Sequence, residues 1–241
     1  MGLGEATLAV IRRSVGTRPR QWLVAITVLA GLSAAVVVVV AGRPADLTFA
    51  TVSDPAQSLM SVTVPFLGIL LVGDLRRASH AARVVPTLLA AMLVAAVIGI
   101  VGIVVCAAAL AVAPSGTARD PWLHAATIAF GSVLVQIVAQ LVGTGLGMLL
   151  RSFIIAFLAS IVLPLGLWFV LGSVEVLHPA QAWLTPYATV RNLLSGQVSA
   201  MMWVQWLVVL LLWGVALNAV GAAWLKRRKP EGGAAAPEAV A

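Results

Sequence analysis

The 241-residue sequence is poor in charge and almost without cysteine. Only 10% of its residues are charged, against about 25% in soluble domains, while 61% are hydrophobic and the mean hydropathy is +1.07. One water-soluble core cannot enclose so much apolar surface, so the composition indicates an integral membrane protein. The single cysteine, Cys106, lies inside an apolar run, which excludes an intrachain disulfide.

The sequence patterns of common catalytic and metal sites are also missing. A Gly-x-x-x-x-Gly-Lys-Ser/Thr phosphate loop is absent, so the chain is expected not to hydrolyse ATP, and so is a Gly-x-Ser-x-Gly nucleophile elbow. The histidines His80, His124 and His178 lie in different loops, with no pair at metal-ligand spacing. No acid or base lies deep within an apolar run, which argues against a proton-driven transporter. We expect no catalytic residue, no metal site and no cofactor bound by this chain.

Six apolar runs of membrane-spanning length occupy most of the chain. They cover about residues 22–41, 55–72, 84–113, 122–150, 153–174 and 203–225. The predicted fold class is therefore an all-α integral membrane protein with six transmembrane helices. Ser53 or Asp54 before Pro55 predicts where the second span begins, and Asp120-Pro121 where the fourth begins. The first run could instead be a signal peptide, but it is longer than the usual apolar region of about 7–15 residues.

Basic residues are distributed unevenly between the two sides that six spans would define. If both termini are cytoplasmic, twelve Lys and Arg residues lie on the inner side and three on the outer side. Acidic residues divide evenly, as expected for a rule that counts Lys and Arg rather than net charge. The asymmetry predicts cytoplasmic N- and C-termini.

Three segments outside the spans have their own character. Residues 1–21 are basic with interspersed apolar residues, which predicts a cytoplasmic interfacial helix; a merely basic tail is the alternative. In the outer segment 175–202, Thr185-Pro186 predicts a helix start and Gly196 a helix end. We expect two short helices that dip into the outer leaflet there, or that lie flat on the bundle. Residues 230–241 have low complexity and are predicted to be disordered.

The loop 73–86 between the second and third spans is the most charged segment between the first and last spans. Its candidate contact residues for a cytoplasmic partner are Asp74, Arg76, Arg77, Ser79, His80 and Arg83. A second inner turn, Arg151-Ser152, joins the fourth and fifth spans so tightly that they must form an antiparallel hairpin. Both would lie on the cytoplasmic side.

Two spans carry a set of residues spaced four positions apart, neutral polar side chains on the fourth and two polar side chains with a proline on the second, so each set shares one helix face. The set on the fourth span is Ser132, Gln136, Gln140 and Thr144, and the set on the second is Gln57, Ser61 and Pro65. Each could line a transport path or a subunit interface. Ordinary helix–helix packing is the alternative for the first set, and a static kink at Pro65 for the second.

The order of these features resembles the permease subunit of an ABC-2 type ABC exporter over about residues 5–229. Asp74-Leu-Arg-Arg77-Ala78-Ser79 is similar to the family's acid-x-x-basic-Gly-Thr segment, with Ala and Ser replacing Gly and Thr. Gly145-Leu-Gly147-Met-Leu-Leu-Arg151-Ser152, followed by Ala156, resembles its turn between spans four and five. Leu184-Thr-Pro186-Tyr187, Leu193-Leu194 and Gly196 resemble the outer segment before span six.

The resemblance implies a non-catalytic subunit of the bacterial cytoplasmic (inner) membrane. It implies a second permease copy or a homologous permease as partner, and two copies of a separate ABC ATPase subunit that binds ATP and Mg. Loop 73–86 and the N-terminal helix would dock on that ATPase. Membrane lipids are the other expected partner, and nucleic acid is not expected.

Two other functional classes remain open from the sequence. One is a six-span channel or membrane assembly factor that works without an ATPase, and the other, disfavoured by the missing nucleophiles and ligands, is an intramembrane enzyme. For an exporter, the neutral and apolar interior favours an amphipathic or lipophilic cargo.

Overall fold

The computed structural model describes residues 2–77, 84–113 and 118–227, and within these ranges it contains helices and turns but no strand. The helices are α1 (Leu3–Val15), α2 (Arg18–Ala41), α3 (Phe49–Arg77), α4 (Val84–Ala111), α5 (Ala125–Leu149), α6 (Phe153–Ser173), α7 (His178–Leu184), α8 (Pro186–Leu194), α9 (Ala200–Val209) and α10 (Leu217–Arg227). A π-helical segment, Leu210–Ala216, joins α9 and α10 into one continuous helix, Ala200–Arg227.

Six of these helices are long and apolar enough to cross a membrane: α2, α3, α4, α5, α6 and Ala200–Arg227. The predicted all-α fold with six such helices is confirmed. Their order along the chain is the predicted one, and most of their ends lie within about four residues of the predicted limits.

The predicted start of the second span is wrong. Helix α3 begins at Phe49, six residues before Pro55, and neither Ser53 nor Asp54 caps it. The Thr48 hydroxyl accepts from the Thr51 N–H at 3.2 Å, and the Phe49 N–H donates to the Pro121 carbonyl at 2.7 Å. These contacts extend the helix outward, beyond the start that local capping residues predicted.

The fourth span also begins later than Asp120-Pro121 predicted. Residues 118–124 form turns, and α5 starts at Ala125 after His124, whose φ of 60° lies in the left-handed region. This backbone conformation interrupts the helix, because non-glycine residues adopt it rarely. Gly196, at φ +78°, packs beside His124 where the chain leaves α8.

Helices α3 and α5 form the centre of the bundle. Half of the apolar window of each is buried, against 17% for α2 and for α6. The two backbones touch where they cross, since a Cβ on Gly143 would lie 2.6 Å from the Pro65 Cα and one on Gly68 would lie 2.8 Å from the Gln140 carbonyl oxygen. Helix α4 packs against both members of this pair, and α10 packs against α5.

One end of the bundle, here named the basic end, holds the start of α2, the ends of α3, α5 and α10, and the start of α6. Arg20, Asp74, Arg76 and Arg151 are joined there by the contacts described below. Gly221 on α10 packs beside Met148 of α5, so Lys226 and Arg227 extend past the same end. The basic residues that the charge count assigned to one side thus gather at one end wherever they are described.

Helices α7 and α8 lie at the other end, named here the hairpin end. The Gln181 amide donates to the Trp168 carbonyl of α6 at 2.8 Å, and the Trp213 indole donates to the Leu184 carbonyl at 2.9 Å. Trp213 lies thirteen residues beyond Ala200, so the α7–α8 junction reaches beside the middle of the sixth apolar helix. Thr185 caps α8 by accepting from the Ala188 N–H.

Candidate functional site

A buried arginine ties α2 to α3 at the basic end. Arg20 forms an ion pair with Asp74 at 2.7 Å and donates to the Leu70 carbonyl at 3.1 Å. The Arg20 side chain is 9% exposed, whereas that of Asp74 is 44% exposed. The carboxylate therefore reaches toward the surface while the guanidinium is held between the helices, which fixes the end of α3 relative to α2.

Arg76 ties α3 to the turn between α5 and α6. It donates to the Met148 carbonyl at 3.0 Å and to the Arg151 carbonyl at 3.4 Å. A cation at these carbonyls complements the negative end of the α5 dipole. Ser152 then caps α6 by accepting from the Ile155 N–H. The two predicted inner segments, 73–86 and Arg151-Ser152, are thus in direct contact through Arg76.

The remaining candidate contact residues of loop 73–86 are only partly described by the structure. Arg77 ends α3 with an exposed side chain. Ser79, His80 and Arg83 lie outside the described residues. Helix α1, at the start of the chain, packs against α4, which is the helix that follows this loop. The contacts of Arg20 and Arg76 at the basic end therefore join α2, α3, α5 and α6.

The polar stripe of α5 faces the interior of this chain. Its four members, Ser132, Gln136, Gln140 and Thr144, are completely buried. Gln136 donates its amide to the Gln57 side-chain oxygen at 2.9 Å and to the Gln57 carbonyl at 3.0 Å, and Gln57 donates to the Gly99 carbonyl of α4 at 3.4 Å. These bonds link three helices, as the packing interpretation of the stripe expects.

The half of the stripe nearer the basic end forms hydrogen bonds with α3 and α10. The side-chain amide nitrogen of Gln140 donates to the Val64 carbonyl, and its side-chain oxygen accepts from the Gly68 N–H at 3.1 Å. Gln140 therefore bonds two residues that are one turn apart in α3. Thr144 donates to the Asn218 side-chain oxygen at 2.7 Å, and Asn218 donates to the Leu141 carbonyl. Ser132 donates to the Ile128 carbonyl of its own helix.

The other two residues of the predicted α3 set, Ser61 and Pro65, line an apolar cavity of about 420 Å³. Ser61 and Pro65 lie on its α3 wall, Ser160 and Pro164 on its α6 wall, and α5 forms the back wall with four apolar residues. Helix α8 contributes Pro186, Tyr187 and Val190. This volume falls within the range of about 300–1,000 Å³ that is typical of small-molecule pockets.

Three aromatic contacts lie beside the two ends of the cavity. Toward the basic end, Phe66 of α3 meets Phe153 and Phe157 of α6 edge to face, with ring centroids 4.5 and 4.6 Å apart. Toward the hairpin end, Tyr187 of α8 packs on Trp168 of α6 at 4.9 Å. Helices α3 and α6 therefore touch at one end and separate toward the other, and α8 closes the wider end.

Sequence reasoning missed several of the residues that build this region. Arg20, Asn218 and the residues of α6 and α8 at the cavity had no assigned role in it, because none belongs to a periodic pattern with its partner. Two signals were available, and the first is Asn218, an amide flanked by apolar residues in the sixth long helix, because an intramembrane amide needs a hydrogen-bond partner. The spacing of Ser160 and Pro164, which repeats that of Ser61 and Pro65, was the other.

The comparisons with known proteins add no family to this geometry. No protein-family model matches the chain, and no curated protein matches it by sequence.

Proposed function

We propose that this chain is the membrane-spanning permease subunit of an ATP-driven exporter in a bacterial cytoplasmic membrane. It pairs with a second copy or a homologous permease, and separate ATPase subunits dock on the basic end. The chain performs no catalysis, and ATP and Mg are bound by the partner.

The observation that carries the proposal is the linkage at the basic end. Arg20–Asp74 joins α3 to α2, and Arg76 joins α3 to the α5–α6 turn. Because polar bonds fix these helix ends to each other, a force applied at the end of α3 moves the basic ends of α2, α3, α5 and α6 together, while α3 and α6 remain separate along the cavity. A soluble motor needs such a rigid coupling surface to change the bundle between two arrangements.

The exposed end of α3 offers a contact for an acidic motor surface. Arg77 is exposed there, and Lys226 and Arg227 extend past the same end. Charge-assisted hydrogen bonds between such basic groups and carboxylates of a partner give both orientation and rapid association.

The apolar cavity supports export of a lipophilic or amphipathic cargo. It lies between α3, α5, α6 and α8, and α3 and α6 are both attached to the basic end through the contacts of Arg76. Relative movement of these helices would open or close the cavity. Since the α7–α8 junction lies beside the middle of the sixth apolar helix, these two helices re-enter the outer leaflet and close the outer end of the cavity.

Affinity purification followed by reconstitution tests the proposal. The tagged chain is expected to retain an ATP-hydrolysing subunit, and the complex in liposomes should move a lipophilic dye only with ATP and Mg. Arg77→Glu should reduce retention of that subunit about tenfold, because it reverses the charge of an exposed contact. Arg43→Glu is the matched control, since Arg43 is exposed just after α2 ends, away from the basic end.

Two results would reject the proposal. One is a complex that Arg77→Glu leaves unchanged, or that Arg43→Glu weakens as much as Arg77→Glu does, since either result would remove docking from the basic end. The other is transport by the pure chain without nucleotide, which would favour a channel.

A further inference from the structure

The two side walls of the cavity carry the same local sequence. Ser61 and Pro65 of α3 are four residues apart, as are Ser160 and Pro164 of α6, and all four residues line the cavity. The helices face each other across it, so a Ser-x-x-x-Pro unit stands on each side. Proline has no N–H and cannot bond the carbonyl four residues before it. Neither the Ser61 carbonyl nor the Ser160 carbonyl can therefore form its normal helical bond.

Helix geometry predicts that these two carbonyls lie on the cavity side of their helices. A helical carbonyl points along the axis toward the residue four positions later. In both helices that residue is the proline, and serine and proline both line the cavity. Each side wall thus presents a backbone acceptor that has lost its usual donor.

The hydroxyls of Ser61 and Ser160 add hydrogen-bond acceptors to the cavity rather than donors. Ser61 donates its hydroxyl to the Ser58 carbonyl at 2.7 Å, and Ser160 donates to the Phe157 carbonyl at 2.7 Å. With both hydroxyl hydrogens used within their own helices, the oxygen lone pairs remain for a ligand. Two other hydroxyls at the cavity, those of Ser58 and Tyr187, have no hydrogen-bond acceptor within the described part of the chain.

No residue that lines the cavity carries a formal charge. A fully charged ligand would lose its hydration there without a counter-ion, which is costly. A neutral molecule with hydrogen-bond donors would instead satisfy the two carbonyls without the cost of removing water from a charge.

We propose that the cavity binds a neutral lipophilic small molecule through N–H or O–H donors that bond the proline-released carbonyls of Ser61 and Ser160. That this molecule is the exported cargo rests on the function proposed above, whereas its binding does not.

The test compares two probes of nearly the same shape. N-octyl dansylamide has one sulfonamide N–H, and N-methyl-N-octyl dansylamide has none. Their Kd values for the full chain in phosphatidylcholine nanodiscs are measured without nucleotide by the rise in dansyl fluorescence, with empty nanodiscs as the blank. We expect wild type to bind the N–H probe about three- to tenfold more tightly, the range for one hydrogen bond of ordinary net strength.

Proline replacements identify the acceptors. Pro164→Ala restores an N–H that bonds the Ser160 carbonyl, and Pro65→Ala does so for Ser61. Because one N–H bonds one carbonyl at a time, each single replacement should lower the preference about twofold, and the double variant should remove it. Pro164→Ala is the leading variant because α6 is peripheral, whereas Pro65 packs against Gly143.

Pro55→Ala is the matched control. It removes a proline ring from the same cavity, but the carbonyl that Pro55 releases belongs to Thr51, which does not line the cavity. The preference should be unchanged in this variant. Equal affinity of wild type for both probes, or a preference that survives in the double variant with both Pro65→Ala and Pro164→Ala, would overturn the assignment. Probe selectivity without ATP-driven transport would retain the site and reject the exporter function alone.

Discussion

The two sides of α3 contrast in how they meet their neighbours. Toward α5, glycines bring the backbones into contact, and buried amides fill the interface with hydrogen bonds. Toward α6, the helices touch through Phe66 at one end and enclose a cavity along the rest. A single helix thus has one face suited to rigid packing and another suited to a ligand or to movement. The difference indicates that α3 and α5 behave as one unit, against which α6 and α8 can shift.

The largest expected effect breaks the rigid side. In Gly143→Val, the added side chain meets the Pro65 backbone, which cannot move without displacing α3. We expect a loss of about 3 kcal/mol in unfolding free energy, at the upper end of overpacking costs. The midpoint of SDS-induced unfolding measures it.

Gly166→Val on α6 is the control for this substitution. A Cβ at Gly166 meets nothing within 4 Å. Its effect should remain within about 0.5 kcal/mol, as for exposed substitutions in general. Similar losses in both variants would contradict the contrast between the two sides of α3.

A smaller effect is expected from the buried amides. Gln136→Leu removes two hydrogen bonds to Gln57 and should cost about 1–2 kcal/mol. Adding Gln57→Leu should cost less than the sum of the two single changes, because the partner left unpaired is removed as well. Unfolding midpoints of the four proteins in this double-mutant cycle measure the coupling.

Gln205→Leu provides the matched change for the amide cycle, at a half-buried position in α9. It should shift the midpoint little. If Gln136→Leu leaves the midpoint unchanged but abolishes transport, the stripe belongs to a path rather than to helix packing.

The smallest effect concerns the basic end. Asp74→Ala removes the counter-ion of Arg20 and should destabilise the protein by about 1 kcal/mol, since the pair is part-exposed but its arginine is buried. Arg77→Ala, at an exposed position of the same helix end, should have almost no effect on the same unfolding midpoint. Equal effects would mean that charge pairing does not hold α3 to α2.

Local patterns predicted the six long helices well and some of their ends poorly. The start at Pro55 failed because a proline can stand inside a helix whose first turns are held by distant residues, here Pro121 and Trp122. The break at His124 is likewise a backbone conformation that no residue type required. Thr185 and Pro186, by contrast, carry their own capping chemistry, and α8 begins there in the structure.

The candidate site was predicted only in part. Periodicity placed Gln136 and Gln140 on one face of a helix, but it could not name Gln57 and Val64 as their partners, because helix pairing depends on contacts across the bundle. Periodicity also grouped Gln57 with Ser61 and Pro65. In the structure, Gln57 bonds Gln136 at the α5 interface, whereas Ser61 and Pro65 line the cavity.

The sequence by itself determined the number of long apolar helices, since burial in a bilayer requires about twenty consecutive apolar residues whatever the neighbours are. Only the tertiary structure decided which polar groups satisfy one another and which remain at a cavity. The physical reason is that a hydrogen bond needs two groups in place, and the second group comes from a helix distant in the chain.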